Sequence, residues 1–529
     1  MRRFAASGAI AFALANLYLL FLTGPLVSPQ HQLIFHLPGS AMALFVPVII
    51  DLLVLWLMLA ILLFWAQRHP RAEVLVWATL LFPLPWVLLE TVASFAGQPA
   101  NRGLLWLSAF IFVGGWLLVA FRGREALPAF RRLRRAVATV LSFVAISGAV
   151  ILLQLLWLGW KARDLNRPFQ QRVASAGARS DGVGQPAGPR VVWIILDELS
   201  YAQVYGHRFA GLALPNFDRL ASEATVFREV KPAAQYTRIA MPSLLTGKSV
   251  NATAPTSDGQ NLMLHLRGQK GWQPLQPQDT VFGDAVRAGL PTAVAGWYEP
   301  YCRILPRMLD ECFWTYSDNM PGGLSGEASI ATNAVAPLRE TAGEILAHSG
   351  TADDAADVRR HEADYHGLSR AGDQLLESQK TGLLVLHMPI PHPWGFYDRH
   401  TNTFPGHRTS YLDNLALADT YLGHVRAVLE ANGGWDNTDV LIMGDHGWRT
   451  HAVWRQSGFW TAEEAAASHG DAAEDPPAVI LKLHAQHEPA RIGSPFDAVR
   501  TRTLIDALLV RQIATAAELQ QWVAHLPAS

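Results

Sequence analysis

Three apolar runs after residue 190 end in side chains that are costly to bury. VVWIILDE ends in Asp197 and Glu198, LLVLHMPIPH runs into His387 and His392, and VLIMGDHG closes on Asp445 and His446. A carboxylate or imidazole in such a place must be hydrogen-bonded, paired or bound to a cation. Carboxylate oxygens with an imidazole make a donor set suited to a divalent ion such as Zn or Mn. A fourth stretch, AAQYTRIAMPSLLTGK, carries the hydroxyl of Thr237 ten residues before Gly247. A threonine hydroxyl is a weak nucleophile, and a divalent ion is the usual means of lowering the pKa of such an oxygen. Each piece also has a plainer explanation. Asp-Glu after a strand makes a helix cap or solvated turn, and the glycine of Asp-His-Gly supplies a positive φ. His392 packs in a proline-rich loop, and Thr237 caps a helix.

Such residues act together only if the fold gathers them. The stretches 190–198, 291–298, 381–389, 438–447 and 477–484 read as buried strands. Between them, LPNFDRLASEA and TSYLDNLALADTYLGHVRAVLEANGG carry apolar residues at helical spacing, the second closing on Asn-Gly-Gly, a helix stop. Strand alternating with helix implies a mostly parallel sheet covered on both faces. Ligands of open α/β sheets bind beyond the carboxyl ends of the strands, which is where the acids and imidazoles fall.

The first part of the chain has a different character. Five apolar runs, at 4–22, 42–65, 74–95, 104–121 and 136–160, are each long enough to span a bilayer. Arginines precede the first run and follow the second and fourth, whereas the other two loops hold only Arg102. Basic loops stay on the cytoplasmic side, so the N-terminus is expected inside and everything after residue 160 outside. Asp51 and Glu90 lie within spans, where a carboxylate marks either function or an interhelical hydrogen bond. The stretch 161–188, rich in Gly, Ser, Pro and charge, reads as a linker. A net charge of -1 gives no argument for nucleic acid as a partner. The expected plan is a five-helix transmembrane domain (1–160), a linker (161–188) and an α/β domain (189–529), an integral membrane protein of the bacterial inner membrane with that last domain facing the periplasm.

The order IILDE, PNFDRLASEATVF, TRIAMPSLLTG and YLDNLALADTYLGHVRAVL…WDNTDVLIMGDHG resembles the alkaline phosphatase/sulfatase superfamily over most of residues 190–510. With a five-span anchor, the chain looks like the phosphoethanolamine transferases and the lipoteichoic-acid-synthase-like phosphoglycerol transferases. The resemblance implies an alkaline-phosphatase-like fold and a metal held by Asp197, Glu198, Asp445 and His446. It makes Thr237 both nucleophile and metal ligand, and His392 substrate-binding. A later site histidine falls on His451 or His469. Two departures stand out. The sulfatase signature Cys-x-Pro-x-Arg is absent, the stretch reading Thr-Arg-Ile-Ala-Met, which argues against sulfate cleavage through formylglycine. Phosphoethanolamine transferases usually carry several disulfides, and here Cys302 and Cys312 are the only cysteines.

The resemblance implies a phosphotransferase. Thr237 would take the phospho-headgroup (phosphoethanolamine or phosphoglycerol) of a membrane phospholipid donor, and an envelope glycan or lipid acceptor would receive it. A hydrolase using water in the second step, or a non-catalytic envelope-assembly protein, are the alternatives. Ser243, six residues beyond Thr237, is the rival nucleophile. In an oxidising compartment Cys302 and Cys312 are expected to form a disulfide.

Overall fold

The computed structural model describes residues 2–28, 32–81, 84–95, 127–165, 190–256, 258–316, 320–346, 351–450, 454–455, 459–468 and 475–526, with isolated positions between 103 and 121. Two compact units result. The first comprises Met1–Ile34, Gly39–Leu165 and Met320–Ile345; the second comprises Phe35–Pro38, Asn166–Asn319 and Leu346–Ser529. The units therefore exchange two short segments that a contiguous division of the chain does not anticipate.

The first unit is helical. Among the described residues, three helical stretches are apolar and long enough to cross a membrane: Ala41–Ala66, Ala72–Leu89 and Arg134–Ala162. A fourth arises if Ala6–Tyr18 and Leu20–Val27, bent by 74° at their junction, count as one. The expected first span is thus a broken helix, and the run 104–121 lies largely outside the described residues. Small side chains let the helices approach: Ala11, Ala13 and Ala15 are buried with Leu14, Leu52, Leu63 and Leu141. Phe143, Ile146, Leu153 and Trp160 of the last helix are exposed, as a lipid-facing surface requires. Asp51 is half-buried within Ala41–Ala66. Glu90 falls outside the residues whose side chains are described. In the same unit, Asn333 donates to the Ala43 carbonyl (2.7 Å) and Ser40 N–H to the Gly326 carbonyl (2.8 Å).

The second unit is built on an eight-stranded sheet. Its strands are β1 (Arg190–Asp197), β2 (Thr225–Phe227), β3 (Thr292–Trp297), β4 (Glu311–Thr315), β5 (Leu383–Pro391), β6 (Thr438–Gly444), β7 (Val479–Lys482) and β8 (Ala490–Ile492). They lie in the order β8-β2-β7-β6-β1-β5-β3-β4. All neighbours are parallel except β7, which runs antiparallel to both β6 and β2. The short strands β2, β4 and β8 have no clear apolar run and escape a reading by periodicity. So does a small antiparallel sheet of Val250–Pro255, Leu262–Leu266 and Gln273–Pro274.

Burial on both faces explains why β1, β5 and β6 are apolar almost throughout. Alternation divides their side chains between two cores. Val192, Ile194 and Leu196 join Leu384, Leu386, Val440 and Ile442 on one face. Val191, Trp193 and Ile195 join Val385, Leu441 and Met443 on the other, with Met241, Leu244 and Leu245 of the helix Thr237–Thr246. The same parity carried forward sends Asp197, His387 and Asp445 towards the face covered by that helix.

Candidate metal and nucleophile site

Thr237 is the first residue of the helix Thr237–Thr246, preceded by Tyr236 in extended conformation and followed by Gly247 at φ 66°. No side chain caps this helix, so the hydroxyl of Thr237 is not spent as a cap. It lies 3.5 Å from Asp197 Oδ2 and 3.3 Å from His446 Nε2. Ser243 is engaged elsewhere: its hydroxyl donates to the Ile239 carbonyl (2.8 Å) and accepts from Val250 N–H (3.2 Å).

Asp197, Asp445 and His446 are all buried, and His446 Nε2 stands 3.6 Å from Asp197 Oδ1 and 3.4 Å from Asp445 Oδ2. One oxygen of Asp445 accepts from Glu198 N–H (3.1 Å) and His446 N–H (2.8 Å). The other, Oδ2, and Asp197 Oδ1 have no hydrogen-bond partner among the described residues. His446 Nδ1 sits 3.0 Å from the Gly447 carbonyl, which can only accept, so Nδ1 carries the proton and the Nε2 lone pair faces the carboxylates. Burial first, then the charges of Asp445 and Glu198, hold the Asp197 carboxyl well above the usual range. Two carboxylate oxygens without partners among the described residues and an imidazole nitrogen converge in one buried corner, and this donor set fits a divalent cation.

The glycine of Asp-His-Gly has a different reason from the one expected. Gly447 is not among the positive-φ residues, but a Cβ there would stand 1.5 Å from the Asp475 carbonyl oxygen. Close backbone approach requires it.

Glu198 departs from its neighbours. Its φ of 64° puts a non-glycine residue in the left-handed region, a strained conformation typical of functional sites. Tyr411 Oη donates to its carbonyl at 2.8 Å. Its carboxylate accepts from Arg449 Nε (2.7 Å), Arg449 N–H (3.2 Å) and Trp454 Nε1 (3.0 Å), and Arg449 Nη2 also reaches it. Arg449 was not singled out from the sequence, although it follows His446 by three residues in GDHGWRT. It packs against the rings of Tyr236 (5.2 Å) and Trp454 (5.1 Å). A cleft lined by Pro232, Gln235, Trp448 and Arg449 leads to His446.

His392 lies beside this acid, its Nε2 3.9 Å from Glu198 Oε1, and Nδ1 is 2.7 Å from the Pro393 carbonyl. Burial, then Arg449 and His361, push its pKa well below the ordinary value, so the ring is neutral. Asp197, Glu198 and His392 form a second group with metal-ligand spacing. His387 is buried beneath the site, paired with Tyr301 Oη (2.8 Å), and burial lowers its pKa to about 4. His451 and His469 lie outside the described residues. Cys302 and Cys312 are joined by a disulfide with Cα atoms 5.7 Å apart, linking the turn after β3 to β4.

The family model described as Sulfatase matches residues 189–478, more than half of the chain. Among solved structures the chain is similar to Ps i-CgsB in complex with k-i-k-neocarrahexaose, at 16% identity over 64% of this chain and 76% of that one, with a TM-score of 0.40. It is similar to the phosphonate monoester hydrolase of Silicibacter pomeroyi, at 15% identity over 64% and 78%, TM-score 0.38. It is also similar to the lipoteichoic acid synthase LtaP of Listeria monocytogenes, at 12% identity over 66% and 78%, TM-score 0.34. No curated protein matches it.

Proposed function

The chain belongs to the sulfatase family, and from that premise we propose that it is a membrane-anchored phosphotransferase with Thr237 as its nucleophile. The observation that carries this reading is the Thr237 hydroxyl, uncommitted to a cap and 3.3–3.5 Å from His446 Nε2 and Asp197 Oδ2, at the position to which the resemblance assigns the nucleophile. A hydroxyl in place of a cysteine favours phosphorus chemistry over sulfate cleavage by an aldehyde hydrate. The apolar helices of the first unit support a lipid donor.

Asp197, Asp445 and His446 would hold the divalent ion, Zn or Mn, with Thr237 beside it. When bound, that ion supplies positive charge that lowers the pKa of nearby oxygens and offsets developing negative charge. The chain's own groups do the rest. Thr237 Oγ, freed of its proton, forms a bond to the phosphorus of a phospholipid headgroup, and the bond from phosphorus to the diacylglycerol oxygen breaks. That oxygen takes up the proton given up by Thr237 and leaves as diacylglycerol. A hydroxyl of an envelope glycan or lipid then bonds to phosphorus, the bond to Thr237 Oγ breaks, and the threonine regains its proton. Ile239 and Ala240 N–H donate to the Tyr236 carbonyl, so the N–H groups of Thr237 and Arg238 at the helix N-terminus would be the ones offered to the phosphoryl oxygens, and the neutral ring of His392 would contact the same group. The reading includes five spans, with the catalytic unit on the outer side of a bacterial inner membrane.

Purified full-length protein incubated with radiolabelled phosphatidylethanolamine or phosphatidylglycerol tests this. Diacylglycerol release with label retained on a Thr237 peptide is the expected result. Release of free phospho-headgroup without an acceptor would assign a hydrolase, and absence of both products would refute catalysis on these lipids.

A further inference from the structure

Two groups of candidate ligands share Asp197: one with Asp445 and His446, the other with Glu198 and His392. They differ in how their oxygens are occupied. In the first, Asp197 Oδ1 and Asp445 Oδ2 are buried without partners. In the second, both Glu198 oxygens are taken by Arg449 and by Trp454 Nε1. Strand parity directs Asp197, and a left-handed φ directs Glu198. Asp197 follows Val191, Trp193 and Ile195 towards the Thr237 helix, whereas Glu198, turned by its positive φ, reaches Trp454 in the opposite core.

We propose that Arg449 is the fixed cation of this site: its guanidinium, anchored by Glu198 between the rings of Tyr236 and Trp454, stands where a second divalent ion would bind and meets the anionic group of the substrate. The proposal rests on the phosphotransferase reading and gives it a one-ion stoichiometry. A guanidinium suits the place. It is planar, always charged, and its fork matches a carboxylate on one side and phosphoryl oxygens on the other. Both aromatic faces lie within cation–π distance. The side chain lines the cleft that leads to His446, so a bound phosphodiester would meet it. Two buried acids flanking Asp197 would otherwise leave excess negative charge in the corner. In this assignment Glu198 is a positioning residue for Arg449.

Metal content per chain, measured on full-length protein in detergent with Zn or Mn in excess, tests the proposal with inorganic phosphate as the anion probe. Wild type should hold one ion, and Glu198→Gln should still hold one. Arg449→Ala should weaken phosphate binding, lower kcat about 100-fold, the scale for one oxyanion-stabilising donor, and take up a second ion on the freed Glu198. Arg449→Lys should not restore activity, because a point charge lacks the fork. The double variant Glu198→Gln/Arg449→Met leaves no buried charge unpaired, so it folds if the single variants do not; it should keep one ion and lose phosphate binding. Two ions in the wild type, or loss of the ion in Glu198→Gln, would overturn the proposal. Unchanged metal content in Asp445→Ala would instead overturn the underlying assignment of Asp197, Asp445 and His446.

Discussion

Thr237 and Ser243 are hydroxyls on the same ten-residue helix, and both are buried. Ser243 is fully used by the fold, donating to one backbone group and accepting from another. Thr237 has side-chain neighbours at long distances, and one of them, Asp197, keeps an oxygen without a partner among the described residues. Burial therefore does not separate structural from chemical polar groups in this protein; hydrogen-bond satisfaction does. A buried group with its partners in place stabilises the fold. One held in place without them is kept at a cost, and such costs accumulate where chemistry is done.

The sharpest way to break the comparison is Thr237→Ala. Headgroup release should fall on the order of 10³-fold or more, while stability should hold to within about 1 kcal/mol because no cap is lost. Thr237→Ser should keep measurable turnover. An active Thr237→Ala would mean that the uncommitted hydroxyl has no chemical role.

Glu299 extends the comparison to a group that also lacks partners, since its Oε2 is buried without one. Burial raises its pKa from 4.5 to about 8. The folded state holds the proton more tightly than the unfolded chain. Its stabilising contribution is complete below pH 4.5 and is lost as pH rises through 8, by roughly 1.4 kcal/mol per pH unit at most. Thermal melts of the wild type should fall across that window, and Glu299→Gln, neutral at every pH, should flatten the decline. Parallel curves for the two proteins would show that Glu299 is not the titrating group.

Ser243→Ala tests the satisfied member. It leaves the Val250 N–H without its acceptor, which should cost about 1–3 kcal/mol, seen as a lower Tm with turnover within a few-fold of wild type. Loss of turnover without loss of Tm would reverse the roles of the two hydroxyls.

Much of this was legible in the sequence. Hydrophobic runs marked β1, β3, β5, β6 and β7, and the same runs placed Asp197 and Asp445 at the ends of β1 and β6 and His387 within β5. Alternation, a local property with a period of two, also determines that these three share a face. The apolar half of the chain stood out by composition alone, whereas the 74° break after Tyr18 did not, because a bend leaves no mark on hydropathy. Short strands such as β2 and β8 were missed since two or three residues carry no period. Arg449 was missed because an arginine after Asp-His-Gly looks like any loop cation until its partner is known.

The sequence by itself determined the residue types, the strand ends and the parity that sends Asp197 and Glu198 to opposite faces, all consequences of local backbone geometry. Only the tertiary structure decided which of those acids meets the His446 ring and which meets a guanidinium. That choice depends on Glu198 adopting a left-handed φ, with Tyr411, more than two hundred residues away, bonded to its carbonyl, and such long-range packing has no local signature in the chain.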